Sequence, residues 1–338
     1  MKKNLKKKIL FYFYIIFLGI LSSFSLPPYN FFFINFFTFS ALFIFLVKQK
    51  FSLSKKEYFL NGWMFGFGYF MSSLYWITIS LTFDQNFKIL IPIALILIPL
   101  FLGLFYGIAT YFFSYFKKFS NISLVLAFSS LLSILEYLRG NILSGFPWNL
   151  ISFSFSNFSY LLQTLSLIGT YSFNLFCLTL FILPSLFYLK KTKYDKYFAL
   201  SFGLLLISGL IYGHLYLQKS QENSLKKNNF LIKIVSPKIG IERFYHTENE
   251  EEILQSLIRL SKPNKDTKTI FVWPEGVFNN TELQNLKKYK NIFKEKFSDK
   301  HLIIFGVNNI VKNKTYNSLA VVNNNLDIIE FYNKNNLV

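Results

Sequence analysis

Few residues in this 338-residue chain are of a type and setting that could do chemistry. Glu275 closes the run Phe271-Val272-Trp273-Pro274-Glu275, a strand-forming stretch that ends on a proline and a carboxylate. A loop just past a strand end is where a rigid sheet displays a catalytic side chain. A solvated acidic residue satisfies the same pattern. Glu136 and Arg139 stand three apart, which puts them on one face of a helix. Inside an apolar run such groups are costly, so they are expected either to form an ion pair or to meet a polar group near a bilayer surface, such as a lipid head group. Cys177 is the single cysteine and lies in an apolar run, where a thiol is usually an inert small apolar residue. No disulfide framework or cysteine zinc site fits within one chain. His214, His246 and His301 show no ligand spacing, and no metal or diffusible cofactor is implied. Lys334, one of 19 basic residues after position 217, reads unaided as a surface lysine.

The elements that must carry these groups fall into two unlike regions. Apolar residues make up 52% of the chain and charged residues 16%, and both departures from globular usage come from the first two-thirds. The 44 phenylalanines, together with abundant Ile, Tyr, Lys and Asn, read as an AT-rich genome and carry no functional signal. The net charge of +19 suggests nucleic acid until it is located. Residues 1–217 hold 17 Lys/Arg against four acids, so most of the excess lies between apolar segments, where nucleic acid could not wrap. Seven stretches approach the roughly 20 apolar residues of a membrane-crossing helix: 9–25, 29–47, 58–82, 88–116, 121–138, 159–189 and 197–217. The lysine-rich start resembles a signal peptide, but further apolar spans follow and it is read as a retained first helix. Fifteen lysines fall in the amino-terminal tail and in the loops after spans two, four and six; only Lys88 and Arg139 fall on the other side. By the positive-inside rule the amino terminus is cytoplasmic, and seven crossings deliver residue 218 onward to the outer side, the periplasm of a double-membrane bacterium. Gly62, Gly66 and Gly68 are expected near one face of the third span as close helix contacts. Trp63 and Trp76 fit either interface anchoring or packing. Gly145-Phe146-Pro147-Trp148 reads as a rigid aromatic turn at the interface.

Residues 218–338 read as a layered α/β segment with a net charge of only +6. Strands are predicted over 230–236, 269–273 and 301–307, and a helix over 248–260 with Ile253, Leu254, Leu257, Ile258 and Leu260 toward one side. A second helix is predicted from Thr281, with Glu282 in its first turn. A hairpin is predicted from 316–323 and 326–332 around Asn323-Asn324-Asn325. With its last strand close to Val338, the sheet is expected to show an open edge.

Read in order, several pieces form a pattern: Leu26-Pro27-Pro28-Tyr29, Glu136-Tyr137-Leu138-Arg139, Gly145-Phe146-Pro147-Trp148, Val272-Trp273-Pro274-Glu275, Tyr316-Asn317-Ser318, and Tyr332-Asn333-Lys334-Asn335-Asn336-Leu337-Val338. This resembles the bacterial apolipoprotein N-acyltransferase family over nearly the whole chain. The resemblance implies an α-helical membrane domain over 1–217 and, over 218–338, the amino-terminal part of a periplasmic nitrilase-like (αββα) domain. It implies transfer of an acyl chain from a phospholipid to the α-amino group of a lipoprotein's S-diacylglyceryl-cysteine, through a Cys thioester at the inner membrane. Glu275 matches the family's general base and Lys334 its lysine, which would stabilise the oxyanion. Glu136, Arg139 and Trp148 are candidate substrate contacts. The family's nucleophilic Cys lies beyond the Y-x-K-x-x-L-V motif, on which this chain ends. The chain is therefore expected to be carboxyl-terminally truncated, with a Cys and a last hydrophobic span encoded further on, and a missing carboxyl-terminal fragment is an expected partner. The run Ser236-Pro237-Lys238 to Phe244-Tyr245 departs from the family's Q-[GP]-N…K-W form. Two other readings stay open: a non-catalytic lipid- or partner-binding membrane protein of the same ancestry, and a membrane-anchored nitrilase-like amidase.

Overall fold

A computed structural model describes residues 2–142, 145–189, 192–224, 229–237, 250–276 and 278–335. The chain divides into two compact units, Met1–Asn223 and Ser224–Val338.

The first unit is helical. Its elements are α1 (Lys2–Ser23), α2 (Ile34–Lys48), α3 (Lys55–Ser73), α4 (Ile91–Phe113), α5 (Asn121–Asn141), α6 (Ser159–Leu162), α7 (Leu165–Ile182), α8 (Pro184–Tyr188) and α9 (Lys193–Ser224). Among the described residues, four helical stretches are long and apolar enough to cross a membrane: Gln85–Phe116, Asn121–Asn141, Leu165–Tyr188 and Lys193–Ser220. Ile9–Ser23 and Ile34–Lys48 are shorter apolar helices. Local chemistry sets several boundaries. Ser54 and Glu57 form a reciprocal capping box at the start of α3, and the Ser120 hydroxyl caps α5. The third span is not one helix. α3 ends at Ser73, and Tyr75–Thr82 continues as a 3₁₀ helix. The sixth span is also broken: Gly169, at φ 75° and ψ 168°, kinks α7, and Pro184 opens α8.

The α3 glycines do pack helices closely, but on two faces. A Cβ on Gly62 would lie 2.2 Å from the Thr110 hydroxyl on α4, and one on Gly68 would lie 2.1 Å from the Ile16 carbonyl on α1. Six residues turn a helix by more than half a revolution beyond one full turn, so Gly68 cannot share the face of Gly62. Trp63 proves to be a packing residue, its indole N–H donating to the Leu100 carbonyl at 2.8 Å.

The second unit is a six-stranded mixed sheet: β1 (Leu231–Ile234), β2 (Thr269–Val272), β3 (Phe278–Glu282), β4 (His301–Val311), β5 (Lys314–Val322) and β6 (Ile328–Asn333). Its order is β1-β2-β4-β5-β6, with β3 also pairing β4. β1, β2 and β4 run parallel, and β4-β5-β6 form an antiparallel meander. Helices α10 (Glu250–Ser261) and α11 (Lys290–Lys296) bring Leu254, Leu257, Ile258 and Phe293 into a core with Phe271, Trp273, Ile303 and Phe305. Leu260, expected on the same side, is exposed. The helix predicted from Thr281 begins two residues later, as a 3₁₀ helix that runs on into α11. Thr281 and Glu282 themselves end β3, and the 3₁₀ helix is Leu283–Tyr289. The Thr281 hydroxyl donates to the Glu250 carboxylate instead of capping a helix. A second hairpin, unforeseen, joins β4 to β5 through Lys312 and Asn313, both at positive φ (48° and 59°). Among the described residues β6 lies at the edge of the sheet and carries exposed Ile328, Ile329, Phe331 and Tyr332. The run 238–249, with His246, lies outside the described residues, as do Asn336, Leu337 and Val338.

Candidate functional site

Glu275 lies just past the carboxyl end of β2, at the end where parallel strands of an α/β sheet present their ligand-binding loops. Trp273 fixes the approach. Its backbone N–H donates to the Ile304 carbonyl at 2.8 Å, and its indole N–H to the Ser261 hydroxyl at 2.9 Å. Its ring is buried against Phe293, Phe297 and Phe305. Pro274 ends backbone donation, and Gly276 turns the chain at φ 67°. The strand therefore stops on a rigid aromatic anchor and releases the next carboxylate at the surface.

Across the sheet, Gly306 of β4 makes room for this turn. A Cβ there would meet the Glu275 Cα at 2.8 Å and the Gly276 nitrogen at 3.0 Å. Asn317 of β5 then links the two candidate catalytic residues. Its side-chain amide donates to Glu275 Oε1 at 2.5 Å, and its carbonyl accepts the backbone N–H of Lys334 at 2.9 Å. Asn333 pairs with Ser318 across β5 and β6 and accepts from the Ser318 hydroxyl at 2.6 Å and the Asn309 amide at 3.0 Å. This fixes where β6 releases Lys334. Glu275, Gly306, Asn317, Tyr332 and Lys334 line one cleft of about 300 Å³. The ion pairs among the described residues of this unit are Lys288–Glu250 and Lys296–Glu295, so neither Glu275 nor Lys334 is consumed by one. Glu275 is exposed, and the partial burial that would suit a base acting on a thiol is not supplied by the described residues.

The helical unit carries the three other candidates, Glu136, Arg139 and Trp148. Glu136 and Arg139 are both buried, 1% and 2% exposed, yet they do not form an ion pair. Glu136 accepts from the Tyr106 hydroxyl at 2.7 Å and from the Asn174 amide, tying α5 to α4 and α7. Arg139 Nη1 donates to the Phe146 and Trp148 carbonyls at 2.6 and 2.8 Å. The guanidinium thus latches the turn that follows α5, where Gly145 stands at φ 74°. Trp148 is half-exposed and stacks on Trp76, ring centroids 5.2 Å apart. Cys177 is fully buried within α7, in keeping with an inert thiol. Gly306, Asn317 and Asn333 were not singled out for roles by sequence. Asn317 stands inside a quoted motif, and that was the only signal that could have found it.

The architecture is that of a membrane protein: a bundle with bilayer-length apolar helices, followed by an α/β unit that presents a carboxylate and a lysine at a sheet end. Residues 18–183 match the apolipoprotein N-acyltransferase N-terminal domain. The apolipoprotein N-acyltransferase of Agrobacterium fabrum is 30% identical over 269 residues, which cover 76% of this chain and 50% of that protein. That of Rickettsia prowazekii is 32% identical over 263 residues, 77% of this chain and 50% of the relative. That of Rhizobium rhizogenes is 26% identical over 341 residues, 95% of this chain and 63% of the relative. Residues 18–183 belong to the amino-terminal domain of the apolipoprotein N-acyltransferase family, and the similarity to these relatives runs on past it. The chain spans about half the length of the first two of these relatives.

Proposed function

We propose that this chain supplies the general base and the oxyanion-stabilising cation for acyl transfer from a phospholipid to the α-amino group of a lipoprotein's S-diacylglyceryl-cysteine. The observation that carries this is the shared cleft: Glu275 and Lys334 line it together, and Asn317 touches both. In the proposed reaction Glu275 takes the proton of a cysteine thiol, and the thiolate attacks the ester carbonyl of the phospholipid. Lys334 balances the negative charge of the tetrahedral intermediate. Collapse expels the lysophospholipid, its oxygen taking up the proton held by Glu275, and leaves a thioester. The lipoprotein amine then attacks the thioester, forms the amide and frees the thiol. Cys177 is the single cysteine of these residues and is buried in the helical unit, so the reading assigns the nucleophile to a separate segment.

The lysine distribution supports a cytoplasmic amino terminus and a periplasmic α/β unit at the inner membrane. Such a placement lets the site meet lipoproteins after export. The test is acyl transfer from a labelled phospholipid to a diacylglyceryl-cysteine peptide, in a preparation where the parent protein turns over. Glu275→Gln and Lys334→Met are each expected to lower the rate by about 10²-fold or more. Near-parental turnover in either folded variant would overturn the role assigned to that residue.

A further inference from the structure

The α/β unit carries a groove of about 750 Å³ that the chemistry above does not use. It lies between the carboxyl-terminal halves of α10 and α11, at the ends where β2 and β4 begin. Glu275 leaves the sheet at the other end of β2, so the groove and the Glu275 cleft occupy opposite poles of one sheet. Ile258 and Ile292, which pack on the core of the unit, give the groove an apolar floor. Arg259, Lys262, Lys265 and Lys296 stand around it. Glu295 is the one acid of its lining among the described residues, and Lys296 already pairs with it at 2.7 Å.

The other three cations have no internal task. A cation near a helix carboxyl end is ordinarily explained by the helix dipole. At α10 that need is met from elsewhere, because Lys233 Nζ donates to the Ser261 and Lys262 carbonyls at 2.8 and 3.0 Å. Among the described residues no ion pair engages Arg259, Lys262 or Lys265, and all three are exposed. The loop that follows α10 is nonetheless braced. Ser298 N–H donates to Nδ1 of the buried His301 at 3.2 Å, so Nε2 carries the proton and donates to the Asn264 carbonyl at 2.9 Å. The Ser298 hydroxyl and the Lys300 ammonium donate to the Lys265 and Asp266 carbonyls at 2.9 and 3.3 Å. A loop fixed in this way loses little freedom when a ligand docks on it.

We propose that this groove docks an acidic peptide segment of a partner protein, its carboxylates on the basic rim and an apolar side chain on the isoleucine floor. Charge complementarity selects the acid, and the floor selects a peptide over a bare anion. An anionic lipid surface carries the same charge. A cleft that draws its acyl donor from the bilayer turns the opposite pole toward water, so the preference for a peptide over lipid rests on the acyltransferase reading.

The test is fluorescence polarisation with the full chain in neutral detergent micelles and a labelled pentapeptide, a leucine flanked on each side by a pair of glutamates. Replacing the leucine by serine is expected to weaken binding by about fivefold or more. Arg259→Glu combined with Lys262→Glu is expected to weaken it by about tenfold or more. Lys312→Glu combined with Lys314→Glu makes the same change of charge in the exposed β4–β5 turn, at the other pole, and is expected to leave binding within about twofold. Glycerophosphoglycerol, a soluble anionic lipid head group, is expected not to displace the peptide at equal concentration. Absent binding, indifference to the leucine, or equal weakening by the two double variants would each overturn the proposal. Displacement by glycerophosphoglycerol would overturn it in favour of a lipid surface. Acyl transfer is not read in this assay. A chain that binds the peptide here but transfers nothing would count against the catalytic reading and leave the peptide groove standing.

Discussion

Gly306→Ala tests whether backbone packing sets the position of the Glu275 carboxylate. The added methyl would lie 2.8 Å from the Glu275 Cα, 3.0 Å from the Gly276 nitrogen and 3.3 Å from the Glu275 Cγ. Carbon atoms in ordinary contact stand about 3.5–4.0 Å apart, so about 1 Å must be found. β4 cannot easily supply it. It is paired with β2 on one side and with β5 along nine residue pairs on the other. The turn at 274–276 must therefore move, and it carries the carboxylate. A displacement of about 1 Å in a catalytic group costs about 10²-fold in rate. Overpacking of this kind costs about 1–3 kcal/mol in stability. The assay pairs acyl-transfer rates with a thermal midpoint for the same preparation. The expected result is a protein that still folds, melts at a lower temperature and transfers about 10²-fold more slowly. A variant with a lowered midpoint and an unchanged rate would refute the claim that this close approach positions the base. So would an unchanged midpoint, which would mean that the sheet absorbs the methyl.

Two further substitutions separate positioning from stability in the α/β unit. Asn317→Ala removes the amide that donates to Glu275 but leaves the backbone bond to Lys334. Because Glu275 is exposed, the stability change is expected to stay within about 1 kcal/mol, while transfer slows by about tenfold; kinetics and denaturant midpoints on one preparation check both halves. Glu250 has opposing influences, desolvation raising its pKa and hydrogen bonds from Thr281, Tyr289 and Lys288 lowering it, and the net shift is downward. A carboxylate held low in the folded state adds stability above its unfolded value, about 4.5, and loses that contribution as pH falls through the folded value. Glu250→Gln is therefore expected to melt earlier than the parent at pH 7 by about 1 kcal/mol, with the gap closing under acid, as read by melting curves across pH. A gap that widened as pH fell would contradict the sign.

How much of this was legible in the sequence depended on the reach of each signal. The helical unit could be read because apolar runs of bilayer length are a continuous signal, and Ser54 and Ser120 mark helix starts by local chemistry. The exit of β2 into Pro274 and Glu275 is equally local. Thr281 and Glu282 misplaced the start of the second helix because a hydroxyl followed by an acid looks like a helix start. In the fold, strand pairing with β4 and the Glu250 carboxylate claim those two residues instead. Spacing put Glu136 and Arg139 on one helical face but could not say which way two long side chains reach. Arg139 turns to carbonyls seven and nine residues ahead, and Glu136 turns to two other helices. The roles of Gly306, Asn317 and Asn333 arise from register across three strands, and no local pattern carries that information. The β4–β5 hairpin was within reach, since a two-residue Lys312-Asn313 link between apolar runs suits positive φ.

The proposed chemistry requires that the acid and the amine face outward, where exported lipoproteins are met. Cys177 is the single cysteine of these 338 residues and is fully buried, so a thiol introduced among them can report on sidedness against the unsubstituted parent as blank. Lys314→Cys, exposed at the start of β5, should react with a membrane-impermeant maleimide on cells with an intact inner membrane and a permeabilised outer one. Labelling only after the inner membrane is broken would place the α/β unit in the cytosol and contradict the assignment of Glu275 and Lys334 to lipoprotein acylation.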